Sequence, residues 1–354
     1  MTEKMTVAVF TGPGQLEFRE IQRPTPKPNQ VLVKIEACAL CTVERRIWTG
    51  TRVGGMGFPT IGGHEVSGRI VQVGDACLQG FVPGDKVVLG LGSDCGACYY
   101  CRRGMNQRCV NFGKLYGQYV PQYEGIPGMW GLGQYRVVNE NELFKANGDV
   151  PFEHLALGEP VACVIHSMKK LGIELTDDVV VIGAGAMGLF NVMVARNMGA
   201  RVIASDLVQE RLDRALKVGA HAVINAGEGD PVAKVKELTE GRGARFVIAA
   251  FGSGKVNEQA IEMLDKGGRF MLFAAAYPST PLNIDPNTIH HHEYVILGTN
   301  GKDPYDLRQA AKLLSERMIN VEPAIEAVIP FKDLTHALDL ASRGDTYRVV
   351  VKID

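Results

Sequence analysis

The run Val179-Val180-Val181-Ile182 leads straight into Gly183-Ala184-Gly185-Ala186-Met187-Gly188. A helical pattern then lasts to Met198, with Gly199 placed to stop it. A G-x-G-x-x-G run alone is a weak signal in a chain with 41 glycines. Here it joins a short apolar strand to a helix, and Asp206 closes the next strand 23 residues after Gly183, near the spacing of ~20 that a dinucleotide fold uses. In that setting Gly183 permits the tight turn and Gly185 lets the backbone approach a pyrophosphate. Ala186 and Met187 open the helix, and Gly188 lets it lie close to the strand. The pyrophosphate would rest at the positive helix end. Asp206 can accept from both adenosine ribose hydroxyls and repels a 2′-phosphate, which predicts NAD over NADP; capping the following helix is its plainer use. Arg211 can contact adenine or phosphate, or be a solvated charge.

The same alternation continues. Apolar runs at 201–205, 222–225, 245–250, 269–274 and 294–298 are mostly separated by helical patterns around 208–218, 231–239 and 255–266. This predicts an α/β fold of the Rossmann type, a doubly wound parallel sheet with helices on both faces. Residues before 158 read differently, as short Val- and Ile-rich strands (7–10, 16–21, 31–37, 65–73, 85–90, 134–138) cut by Gly and Pro. A tail with a helix (305–317), a strand (325–329), a helix (331–342) and a strand (347–353) is too short to be a domain and should return to one of the others. At roughly 150 residues per domain, 354 residues suit two domains.

Composition excludes several classes. With 46% hydrophobic and 22% charged residues the chain can form a sizeable core. A net charge of -1 gives no field for nucleic acid or an anionic membrane. No apolar run approaches the ~18 residues of a membrane span, and the start MTEKMTVAVFTG lacks a signal h-region. A cytoplasmic location and a small-molecule partner are therefore expected.

Four of the eight cysteines follow the pattern Cys95-x2-Cys98-x2-Cys101-x7-Cys109. Without an export signal, metal binding is the better reading than disulfides. Four thiolates saturate a tetrahedral zinc and leave it with net charge −2, so this site reads as a structural staple for the long 91–130 loop. An iron–sulfur cluster is the alternative that the spacing leaves open.

A second constellation comprises Cys41, His64-Glu65 within GGHE, and Glu159 within GEPVAC. Together with GGHEVSGRIVQVG (62–74), VPGDKV (82–87), the cysteine quartet, EPVACVIHS (159–167), VVVIGAGAMG (179–188) and Asp206 with Arg211, it makes the chain resemble, nearly end to end, the zinc-dependent medium-chain alcohol/polyol dehydrogenases. The resemblance implies a GroES-like β-rich catalytic domain (1–158), a Rossmann NAD-binding domain (159–299), and a C-terminal return to the catalytic domain (300–354), with a cleft for zinc and nicotinamide. Carried over by motif, Cys41, His64 and Glu159 are zinc ligands, and Glu65 either binds zinc when water leaves or orients the ligands. Glutamate at 159, where classical alcohol dehydrogenases place a second cysteine, favours the polyol branch near sorbitol and threonine dehydrogenases. Zinc with Cys⁻, neutral His and one Glu⁻ sums to zero, and a second carboxylate blunts the Lewis acid; three protein ligands plus an open position suit catalysis. The family also implies a homodimer or homotetramer joined at sheet edges, with 294–298 as the edge.

The sequence departs from the family after the first ligand. Val43 stands where a proton-relay hydroxyl is usual, and Arg46 where a relay histidine is usual, while Glu44 keeps the acid next to the site, one methylene longer than the usual aspartate. A methyl group passes no proton and arginine does not deprotonate near neutrality. The proton must then leave through zinc-bound water and Glu65 or Glu159, or through a substrate or ribose hydroxyl. Otherwise the activity is slow or different. A non-catalytic dinucleotide-binding protein, and an epimerase or lyase retaining NAD, are the alternatives. Arg45 and Arg46 suit an anionic or highly hydroxylated substrate, or form an exposed pair. His290-His291-His292 reads as a solvated loop, and His166 as a packed residue. Substrate choice depends on loops 44–58 and 112–130, where Trp48, Phe112, Tyr116 and Trp130 read as packing before pocket walls.

Overall fold

The computed structural model describes residues 3–51, 57–91, 94–276 and 278–354; residues 52–56 of the 44–58 loop lie outside them. Two compact units emerge: 1–162 with 302–318 and 325–354, and 163–301 with 319–324.

The first unit is β-rich. Its seven-stranded sheet runs in the order Ile325–Pro330, Arg348–Lys352, Gln30–Leu40, Glu65–Val73, Lys86–Leu89, Leu143–Ala146, with Tyr135–Asn139 paired to Gln30–Leu40. A hairpin, Lys4–Gly12 with Gln15–Gln22, stands beside it. The alternating apolar residues of these strands, among them Val33, Ile35, Val66 and Val351, bury into one core with Phe10, Ile61 and Trp130. Trp130 is stacked on Tyr123 with ring centroids 4.7 Å apart, and Trp48 is buried with its indole N–H donating to Asp339, so both pack. The C-terminal strand lies antiparallel to Gln30–Leu40, with Val350 opposite Ala39. The tail does not return as one piece, however. Residues 319–324 join the second unit, where Val321 and Ala324 bury and the turn Glu322–Ala324 packs on helix Ala186–Asn197.

The second unit holds six parallel strands in the order Ala222–Asn225, Arg201–Asp206, Asp178–Ile182, Ala244–Ala249, Leu264–Leu272, Val295–Gly298. The strand order reverses beside Asp178–Ile182, the strand that feeds the glycine turn, and such a reversal makes a ligand crevice at the strand ends. Two local expectations fail. The pattern at 255–266 overruns, because the helix stops at Glu262 and Leu264 already pairs with Ala244 in the sheet. The three histidines end a helix, Pro286–His292, instead of lying in a loop. Asp285 caps it by accepting from Asn287 N–H, and Pro286 opens it. Val295 is 38% exposed at the sheet edge. No helix among the described residues is long and apolar enough to cross a membrane.

Candidate active site and metal centres

The first site grows from a helix start. Helix Thr42–Thr49 begins at Cys41, whose sulfur accepts from Val43 N–H at 3.1 Å. Three residues on, Glu44 Oε2 accepts from Cys41 N–H at 3.1 Å, which completes a capping box. The positive end of this helix therefore faces the Cys41 sulfur and favours its thiolate. The other Glu44 oxygen accepts from Gly63 N–H at 3.0 Å and lies 3.1 Å from His64 Nδ1. An ionised Glu44 accepts a hydrogen bond from Nδ1–H, so Nε2 keeps its lone pair, and Nε2 sits 3.4 Å from Cys41 Sγ. A carboxylate behind a ligating histidine fixes both tautomer and ring orientation.

Two carboxylates complete the cluster. Glu65 opens strand Glu65–Val73 opposite Ala39, and Glu159 lies in the first turn of helix Gly158–Leu171. Donor atoms of His64, Glu65 and Glu159 lie within 4.8 Å of one another, as do those of Cys41, Glu44 and His64. Each carboxylate has a cation: Arg348 Nη2 donates to Glu65 Oε1 at 2.8 Å, and Lys302 Nζ to Glu159 Oε1 at 2.6 Å. Glu65 Oε2 is buried with no hydrogen-bond partner.

Burial dominates the electrostatics. It pushes the Cys41 thiol up to about 11, with the Glu44 charge adding to the effect, so a thiolate here calls for a nearby cation. Burial also raises Glu65 to about 7 against the pull of Arg348. For Glu159 burial is outweighed by Lys302 and His64, which hold it below its ordinary value. Glu44 is buried too, yet His64 and the two backbone N–H groups bring it down to about 2. A soft sulfur, an imidazole nitrogen and carboxylate oxygens with one buried oxygen orphaned form a donor set that fits zinc.

The cysteine quartet gathers as well. All four sulfurs lie within 4.8 Å of one another, with Cys98 to Cys101 at 3.4 Å and Cys95 to Cys101 at 4.0 Å. Zinc bonded at ~2.3 Å to four sulfurs needs them roughly 3.8 Å apart. Backbone N–H groups of Cys95 and Cys98 point at the sulfurs of Cys109 and Cys95. Asn111 and backbone donors hold the Cys95 thiol down at about 6.

In the second unit, Gly183 has φ +93 in the turn, and a Cβ at Gly188 would lie 1.8 Å from the Gly183 carbonyl oxygen. At Gly185 a Cβ would meet nothing within 4 Å, which leaves the open space a phosphate needs. Helix Ala186–Asn197 starts there, with Met187 in its first turn. Asp206 accepts from Ala184 N–H at 2.7 Å and from Val208 N–H at 3.0 Å, one on each oxygen. Each oxygen keeps a second lone pair for a ribose hydroxyl. Arg211 is half-buried on helix Gln209–Lys217.

Sequence reasoning kept Glu44 as an acid next to the first site but missed Arg348 and Lys302. Glu44 had a readable signal, since Cys-x-x-Glu is a sulfur version of the capping box. Arg348 and Lys302 had none, being 283 and 143 residues from their partners. Val43 packs against the hydrophobic core and His166 is buried.

A dinucleotide-type sheet and a β-rich unit carrying two metal-donor clusters define a zinc oxidoreductase. A zinc-binding dehydrogenase family model matches residues 186–316, and an alcohol dehydrogenase GroES-like domain model matches residues 27–148. The chain is 31% identical to L-threonine 3-dehydrogenase of Pyrococcus horikoshii, over 99% of both chains. It is 29% identical to erythritol/L-threitol dehydrogenase of Mycolicibacterium smegmatis, over 97% of this chain and 95% of that one. Among solved structures, a chain described as a zinc-binding dehydrogenase from Sinorhizobium meliloti 1021 bound to NADP superposes with TM-score 0.87 at 26% identity, over 99% of both chains. The protein belongs to the zinc-dependent medium-chain alcohol/polyol dehydrogenase family.

Proposed function

We propose that the protein oxidises a secondary alcohol of polyol, cyclitol or sugar type with NAD. In this reading Cys41, His64 and Glu159 hold the catalytic zinc, Glu65 stands beside it, and Cys95, Cys98, Cys101 and Cys109 hold a structural zinc. The observation that carries this reading is the orphaned, buried Glu65 Oε2 among the donors of His64 and Glu159. The names of two relatives, threonine and erythritol/threitol dehydrogenases, belong to carbinols with polar neighbours, which supports the substrate class.

When bound, zinc supplies Lewis-acid polarisation of the alcohol oxygen and the dinucleotide supplies the hydride acceptor. Glu44 holds His64 in its Nδ1–H tautomer. With Val43 an apolar side chain packed against the core, Glu65 Oε2 takes the proton of the reacting hydroxyl. Gly185 and the start of helix Ala186–Asn197 accept the pyrophosphate, Asp206 the adenosine ribose, and Arg211 stands beside it. Metal analysis should return two zincs per chain, alongside NAD reduction with a polyol panel; one zinc or none would contradict the scheme.

Cofactor choice follows Asp206. The S. meliloti neighbour was solved with NADP, whereas the Asp206 carboxylate here would meet a 2′-phosphate charge against charge. We expect kcat/KM to favour NAD, and Asp206→Ala to narrow the gap by weakening NAD and relieving NADP. A native preference for NADP would sink the assignment.

The exposed edge strand Val295–Gly298 suits pairing with a second copy across the sheet edge. A dimer or tetramer is therefore expected, and light scattering that shows a monomer at micromolar concentration would overturn it. Eight free cysteines without a disulfide suit a cytoplasmic location.

A further inference from the structure

We propose that Lys302 is a positioning residue for the catalytic metal: its ammonium competes with the metal for the Glu159 carboxylate and keeps that ligand weak enough for turnover. This inference rests on the zinc-site reading above.

The contact is short and sheltered. Lys302 Nζ lies 2.6 Å from Glu159 Oε1, and the two side chains are 12% and 11% exposed. At that burial salt screens the pair little. A carboxylate paired with an ammonium keeps free lone pairs but carries less negative charge on its oxygens, which makes it a poorer metal donor.

Charge balance points the same way. Four anions belong to the two donor groups that share His64: the Cys41 thiolate, the carboxylates of Glu65 and Glu159, and Glu44 behind the His64 ring. The two positive charges of zinc offset two of them. Arg348 on Glu65 and Lys302 on Glu159 offset the remaining two. Removing Lys302 would leave one uncompensated negative charge at the metal, which strengthens metal binding and weakens the metal as a Lewis acid.

The two cations also differ in kind. Arg348 presents a planar fork and fixes Glu65, whereas a lysine ammonium on a four-carbon stem can follow its partner. Lys302 can therefore accompany Glu159 as that carboxylate adjusts its distance to the metal. A purely structural duty is already met next door, because Asp303 and Asp306 form the capping box that starts helix Pro304–Ser315.

The test is Lys302→Met in the full chain, read by zinc release to a chromogenic chelator and by steady-state kinetics with NAD and a polyol. Release of the catalytic zinc should slow by roughly tenfold or more. kcat should fall by roughly 10–100-fold, the range for altering a group behind a ligand, with KM within about threefold. Lys302→Arg should bring both readouts back towards the native values. Should the methionine variant not fold, Lys302→Gln repeats the measurement with the charge removed and a hydrogen bond kept. In a Glu159→Gln background, Lys302→Met should no longer alter zinc release. A structural prop would instead give faster release together with lower kcat, and that outcome overturns the proposal, as does unchanged release. Native protein that binds no zinc beyond the cysteine quartet would overturn the metal-site reading itself, and this inference with it.

Discussion

Glu65→Gln is expected to lower kcat for alcohol oxidation by roughly 10²–10⁴, the usual range for losing a general acid or base, while zinc and NAD binding persist. The usual hydroxyl relay is missing: Val43 is an apolar side chain packed against the core. Glu65 Oε2 is buried without a hydrogen-bond partner, and burial lifts the group to about 7, close to where a proton acceptor works best. Glutamine keeps the shape and the contact to Arg348 but accepts no proton. Restoring a hydroxyl with Val43→Ser should recover part of the loss if the path past Arg46 is open. Two results would change the picture. Loss of zinc in Glu65→Gln would make Glu65 a ligand and the three-ligand count wrong. An unchanged rate with zinc retained would mean that the proton leaves through solvent and that Val43 carries no mechanistic meaning.

Loss of the cysteine staple should act on stability and leave the chemistry to follow. Cys98→Ser removes one of four sulfurs from a cluster that ties the chain from Cys95 to Cys109. A crosslink over a loop of that length contributes about 3 kcal/mol by constraining the unfolded chain, which for a unit of this size is a fall in Tm of roughly 6–12 °C. The zinc count should drop from two to one. A brief chelator treatment, by contrast, should take the open-site metal first and abolish activity with Tm nearly unchanged. If the order of metal loss is reversed, the assignment of which site is structural is wrong.

Much of this protein was legible in its sequence because the signals are local. The glycine turn sits between a strand and a helix, and its three glycines answer to distances of a few residues: a Cβ at Gly188 would strike the carbonyl of Gly183. The four cysteines lie within fifteen positions, so spacing alone lets them surround one ion. The strand and helix order of 178–298 follows from the period of its apolar residues, since a two-faced sheet must be apolar on both sides.

Boundaries were less legible, and for a tertiary reason. The pattern over 255–266 reads as helix to its end, but pairing of Leu264 with Ala244 in the sheet ends the helix at Glu262. Residues 319–324 carry no mark of the unit they join; only the burial of Val321 and Ala324 and the packing of their turn on helix Ala186–Asn197 decide it.

By itself the sequence determined the two metal-donor sets, the dinucleotide turn with Asp206, and the family to which they belong. Tertiary structure alone decided which charges face Glu65 and Glu159. Arg348 reaches Glu65 because the C-terminal strand pairs with Gln30–Leu40, beside the strand that Glu65 opens. Lys302 reaches Glu159 because the chain re-enters the first unit at residue 302. Local patterns encode backbone conformation through short-range sterics and burial period. A salt bridge between residues 283 or 143 positions apart exists only once the sheet has set its register, and no local pattern in the chain encodes that distance.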